Sequence, residues 1–116
     1  LLAADGTPLD ETAMVYDQAF VMFALAMAKA AGCADASLES RALTIRDQLQ
    51  ARAEDNGAIV EGGEHPHQSN CHMHLLEACL AWEEIGGDAG WAAFTDQIVR
   101  LARSTFIDPE EGFLRE

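Results

Sequence analysis

The fold is decided by residues 12–31, TAMVYDQAFVMFALAMAKAA. Met14, Val15, Phe20, Val21, Met22, Phe23, Leu25 and Met27 fall on every side of a 3.6-residue spiral, with alanines between them. No glycine or proline interrupts the run, and Gly32 stands where a helix would be closed. This predicts a buried helix, apolar all round. The next stretch, residues 37–54, has a different pattern. Leu38, Ala42, Ile45 and Leu49 recur at i, i+4, i+7 and i+11, and Glu39, Arg46, Asp47 and Arg52 fill the other sides. That is a one-sided surface helix.

The alternation then repeats. Residues 70–85 form a second rather apolar helix (Met73, Leu75, Leu76, Cys79, Leu80, Trp82) closed by Gly86 and Gly87. Asp88 is a natural cap for a fourth, whose Trp91, Phe94, Ile98 and Leu101 share one face. A Gly-x-x-x-Glu segment follows each pair, Gly57 to Glu61 and Gly112 to Glu116, with the two glycines 55 residues apart. The expectation is therefore an internal repeat of two helical hairpins, about 12–61 and 70–116, in a single partial domain spanning 1–116. Buried helices walled by one-sided ones fit a two-layer toroid better than a flat solenoid. A closed four-helix bundle is the simpler alternative. Two hairpins cannot close a toroid, and the chain begins without Met and ends with no breaker, so it reads as an internal piece of a longer protein. In isolation it is expected to expose apolar inner-helix surface.

Composition narrows the function. With 116 residues the chain has one modest domain's worth of core. Apolar residues are 49% and charged ones 23%, an ordinary globular balance rather than that of a disordered acidic tail. Seven basic against 20 acidic side chains give a net charge of −13, which repels phosphate backbones and anionic lipid, so neither nucleic acid nor a membrane is an expected partner. Three cysteines, Cys33, Cys71 and Cys79, suit reduced thiols in a cytoplasmic protein better than a disulfide framework. The first residues lack the basic and long apolar stretches of a secretory leader.

All four histidines lie between Glu64 and Glu77: His65, His67, His72 and His74. Three readings are open. The residues can be solvated loop and hydrogen-bonded helix-start positions. His65, His67, Cys71 and His72 can be metal ligands, although no Cys-x-x-Cys or His-Glu-x-x-His spacing supports zinc, and no metal is expected. Or His74 and Glu77, three apart on an otherwise apolar helix, can project together into a polar cavity. A carboxylate beside an imidazole fixes its tautomer, as a general acid/base requires. Elsewhere, Glu61 and Glu116 read as solvated turn residues, Trp82 and Trp91 as core, Met14, Met22, Met27 and Met73 as core filler, and Cys79 as an inert buried thiol.

Asn70-Cys71-His72-Met73-His74-Leu75-Leu76-Glu77-Ala78 resembles the Asn-Pro-His-Met-His-Leu-Leu-Glu-Ala signature of the N-acylglucosamine 2-epimerase superfamily, which includes cellobiose 2-epimerases and mannose-type aldose–ketose isomerases. Tyr16-Asp17-Gln18-Ala19-Phe20 resembles its Tyr-Asp-His-Ala-Phe segment, and Phe106 to Pro109 with Gly112 to Glu116 resembles the loop that follows. The resemblance implies an all-α fold, with about four of the twelve helices of an (α/α)6 barrel. It also implies cofactor-free, metal-independent epimerisation or isomerisation of a sugar (hexose, N-acylhexosamine or disaccharide) through an enediolate. By match to the motif, His74 is an acid/base residue and Glu77 its neighbour in the sugar pocket. Asn70, His72 and Gln18 are further substrate-binding positions. A second catalytic histidine and a sugar-binding arginine would lie outside these residues, so the isolated piece is expected to be inert, and the full-length protein to form a homodimer. Cys71 replaces the usual proline and Gln18 the usual histidine. Glutamine holds a hydroxyl but moves no proton near neutrality, which favours the alternative of a non-catalytic sugar-binding or helical-repeat module.

Overall fold

The computed structural model describes residues 2–62 and 64–115, and these are all-helical, without a strand. The helices are α1 (Val15–Ala30), α2 (Leu38–Gln50), α3 (Ser69–Glu84) and α4 (Ala89–Leu101). A five-residue π-helical turn, Ala102–Phe106, continues α4. Packing runs in the order α2–α1–α3–α4, with α1 and α3 side by side and α2 and α4 behind them. The outer helices do not pack extensively on each other. This is the two-layer array expected of part of an α/α barrel, not a closed four-helix ring.

The register explains the layering. On α1 the buried residues are Val15, Ala19, Met22 and Ala26, one stripe at i, i+4, i+7 and i+11. On α3, Leu75, Ala78, Cys79 and Trp82 form the facing stripe. Alanines on both sides allow the two helices to approach closely, and Met22 and Trp82 fill the volume between them. Leu38, Ala42 and Leu49 of α2 and Trp91, Phe94, Ile98 and Leu101 of α4 complete the core. Trp82 and Trp91 stack, their ring centroids 5.3 Å apart and their planes 10° from parallel. Both are fully buried, as the apolar stripes indicated. Cys79 is buried as well, and burial pushes its thiol up to about 12, which leaves it unreactive.

Three expectations need correction. Helix α1 is buried on one side only: Tyr16, Phe20, Val21, Phe23 and Met27 are exposed. Met27 and Met73 are likewise exposed among these residues, as expected of inner-helix surface in a partial chain, rather than packed in the core formed here. Helix α1 also begins three residues later than its apolar run, because Thr12 N–H donates to Asp10 Oδ1 (2.8 Å) and Met14 is extended, with ψ at 135°. Asp88 caps α4 as expected, accepting from Gly90 N–H at 2.8 Å. It also pairs with Arg46 of α2 at 2.6 Å, and the Arg46 guanidinium lies 4.8 Å from the Trp91 ring centroid.

The segments after each hairpin are short turns closed by isolated bridges, Ala53 with Ile59 and Ile107 with Leu114. A third such turn, Leu2 with Pro8, precedes α1. Gly6, Gly57 and Gly112 sit at matching places in the three, with φ at 86°, 88° and 74°, a conformation that other residues rarely adopt. The 55-residue spacing therefore reflects a repeated turn as well as repeated helices. In the last of these turns Asp108 accepts from the backbone N–H of Glu110 and Glu111 and pairs with Arg115. The Arg115 guanidinium, with those N–H groups, holds the Asp108 carboxyl down at about 2.

Candidate active site

Two residues apart on a helix means about 200° around its axis, and His72 and His74 accordingly face different surroundings. His74 is turned toward α1. Its Nδ1 lies 2.7 Å from Glu77 Oε2, one turn on along α3. The imidazole is edge-on to Tyr16, with centroids 5.1 Å apart at 90°, and tilted against Phe20 at 4.7 Å. Tyr16 and Phe20 also contact each other at 4.9 Å. His74 is thus largely covered on its flanks, with 19% of its side chain exposed, while Glu77 is 57% exposed.

This geometry settles the tautomer. An ionised carboxylate only accepts, so the Nδ1–H of His74 donates to Glu77 and the lone pair of the neutral ring falls on Nε2. No side chain among the described residues takes up that Nε2. The imidazole is held by the Glu77 carboxylate on one edge and two aromatic rings around it. Asn70 is exposed one helical turn before His74, on the same face of α3. It also lines a cleft of about 350 Å³ with His65, His67, Gln68 and Ser69.

His72 is placed differently from what its motif position suggested. It is 2% exposed, its Nδ1 lies 2.7 Å from the Gln68 carbonyl, and its Nε2 accepts from Ile59 N–H at 2.9 Å. Phe106, delivered by the π turn, packs on the ring at 5.3 Å. Both nitrogens are spent inside the protein, so His72 ties α3 to the turn after α2 and has nothing to offer a sugar hydroxyl. Gln18 is half-buried and lies about 200° around α1 from both Tyr16 and Phe20, away from the rings around His74. It keeps the repeat position that corresponds to His74, on the other flank of its own helix.

Burial holds His72 below its ordinary value near 6.5, outweighing the Gln68 carbonyl and the charge of Glu61, which act the other way. The folded protein therefore binds this proton less readily than the unfolded chain. The stability His72 contributes is complete above about pH 6.5 and is drawn down as pH falls below it. His72→Asn keeps a donor for Gln68 and cannot titrate. The gap in urea midpoint between wild type and this variant should narrow from pH 7.5 to pH 5.5, and an unchanged gap would contradict the buried neutral state.

Two features escaped the sequence reading. Glu61, taken there for a solvated turn residue, is 3% exposed and accepts from Val15 N–H at 2.6 Å and Tyr16 N–H at 3.0 Å. Its repeat counterpart, Glu116, lies outside the described residues. Tyr16 was read only as part of a motif, and Phe20 only as that and as part of the apolar run, although their four-residue spacing marks a shared face. Among the described residues no three His, Cys, Asp or Glu side chains come together as metal ligands. His65 and His67 are exposed, and Cys71 is buried, its thiol pushed up to about 12 by desolvation and the nearby Glu61 charge. No helix among them is long and apolar enough to cross a membrane.

The two-layer helical array is that of part of an α/α barrel. The chain belongs to the N-acylglucosamine 2-epimerase (GlcNAc 2-epimerase) family, whose sequence pattern matches residues 1–116. It is similar to a mannose-6-phosphate isomerase of Rhizobium meliloti (strain 1021), at 41% identity over 122 residues. The match covers 100% of this chain and 32% of that relative, so the chain spans about a third of the relative's length.

Proposed function

We propose that the whole protein carrying this chain is a sugar 2-epimerase or aldose–ketose isomerase in which His74 moves the proton. The observation that carries this reading is the 2.7 Å contact of His74 Nδ1 with Glu77, which leaves the Nε2 lone pair free. In the ring-opened sugar, Nε2 takes the proton from the carbon beside the carbonyl. The C–H electron pair becomes the enediolate double bond, and the carbonyl electrons move onto oxygen. Return of a proton to the opposite face of C2 gives the epimer. Return of a proton to C1 instead, with the C2 hydroxyl losing its proton as the carbonyl forms there, gives the 2-ketose.

The exposed apolar side of α1 and the exposed Met73 and Leu80 of α3 fit a barrel in which further hairpins cover these helices. Among the described residues, none of the side chains in contact with His74 is basic, and the chain carries a net charge of −13. Both favour an uncharged aldose over a sugar phosphate as substrate. Gln18 supports the second reading, a sugar-binding module without turnover, because it cannot supply a second proton-transfer group.

The test is a product screen. The full-length protein, in chelator-treated buffer, is incubated with free aldoses, N-acylhexosamines, disaccharides and hexose 6-phosphates, and products are identified by NMR. A C2 epimer or ketose from an uncharged sugar is the expected result. Folded protein with no product on any sugar would overturn the catalytic reading in favour of binding alone.

A further inference from the structure

Helix α1 starts at a residue that cannot cap it. Met14 occupies the N-cap position and makes no side-chain cap hydrogen bond, where Ser, Thr, Asp or Asn would be preferred. The cap comes instead from 46 residues further along: both carboxylate oxygens of Glu61 are engaged, Oε1 by Val15 N–H and Oε2 by Tyr16 N–H. Glu61 is itself fixed from several sides. Its N–H donates to Pro66 carbonyl at 2.9 Å, and Gly62 N–H also reaches Oε1 at 3.0 Å. The preceding Val60 carbonyl accepts from Arg52 at 2.8 Å, and Ile59 N–H is held by His72. A continuous set of contacts thus leaves α3 at His72, passes through residues 59–61 to the first turn of α1, and returns to α3 where Tyr16 meets His74.

We infer that Glu61 is a positioning residue, which sets the Tyr16 ring against His74 by holding the backbone of Tyr16. The inference builds on the role proposed for His74. A buried carboxylate suits the task, since it satisfies two helix-start donors at once and its charge is favourable at a helix N-terminus. Glutamine in its place retains one acceptor oxygen and loses the second.

The experiment uses the full-length protein labelled at histidine ring carbons, with the His74 signal assigned by its loss in His74→Asn. In Glu61→Gln, the His74 ring-proton resonances should move toward their position in Tyr16→Ala, because the neighbouring ring is displaced. With a sugar that turns over, kcat should fall about 10- to 100-fold while KM stays within about twofold, as small misplacements at a reacting centre do. Unmoved His74 resonances in Glu61→Gln, with or without a lower melting temperature, would reduce Glu61 to a helix cap and overturn the inference. If wild type turns over no sugar, the proposed function fails while the His74 resonances still decide this point. Should Glu61→Gln not accumulate folded, Glu61→Asp, whose carboxylate is withdrawn by one methylene, gives the same readout.

Discussion

Replacing His74 by asparagine in the full-length protein should lower kcat by about 10²- to 10⁴-fold, the range general acid–base groups contribute, with KM changed little. Asparagine keeps a polar group near the Nδ1 position and so preserves the contact with Glu77, but it has nothing at Nε2 to accept a proton. The loss should therefore appear in the chemical step and not in binding. Glu77→Gln should reproduce a good part of the same defect for a different reason. A glutamine amide can donate to Nδ1, which turns the imidazole to the tautomer with its proton on Nε2, the wrong state for a base. Steady-state kinetics of the two variants check both statements. If His74→Asn retains kcat within about threefold of wild type, another group carries the proton.

The second large effect is on stability. Trp82→Ala should cost about 3–5 kcal/mol, the usual range for removing a buried aromatic side chain, a large share of the 5–15 kcal/mol by which domains are stable. Trp82 is fully buried where three helices meet: its Nε1–H donates to the Met22 carbonyl of α1 at 3.0 Å, and its ring stacks on Trp91 of α4. Lys29 of α1 lies 5.5 Å from the ring centroid. No single neighbour can fill the space left, since the surrounding positions include Ala26, Ala78 and Ala81. Urea unfolding of the full-length protein measures the loss, and Trp82→Phe should retain more stability than alanine. A cost below about 1 kcal/mol would mean that α1, α3 and α4 do not share this core.

Much of this architecture was legible because it rests on local periodicity. The apolar stripes of α2 and α4, the Asp88 cap and the glycines between helices are signals within one turn of where they act. The contact between His74 and Glu77 was legible for the same reason, being an i, i+3 pair. What the sequence hid acts at long range. Glu61 caps a helix 46 residues earlier, and nothing local distinguishes it from a solvated turn glutamate. His72 and His74 look alike in a His-x-His pair, and only the docking of Ile59 on one side and Tyr16 on the other separates a buried tie from a partly accessible imidazole. The exposed apolar side of α1 is the inner-helix surface expected of a partial chain, but composition does not say which side of that helix meets its own hairpin.

The central claim is that His74 moves the proton beside a sugar carbonyl, and deuterium uptake tests it most directly. The full-length protein is incubated in D2O with a sugar it binds, and deuterium on the carbon next to the carbonyl is followed by NMR beside His74→Asn. Uptake by wild type that drops to background in the variant is the predicted result. Uptake at the same rate in both would contradict it.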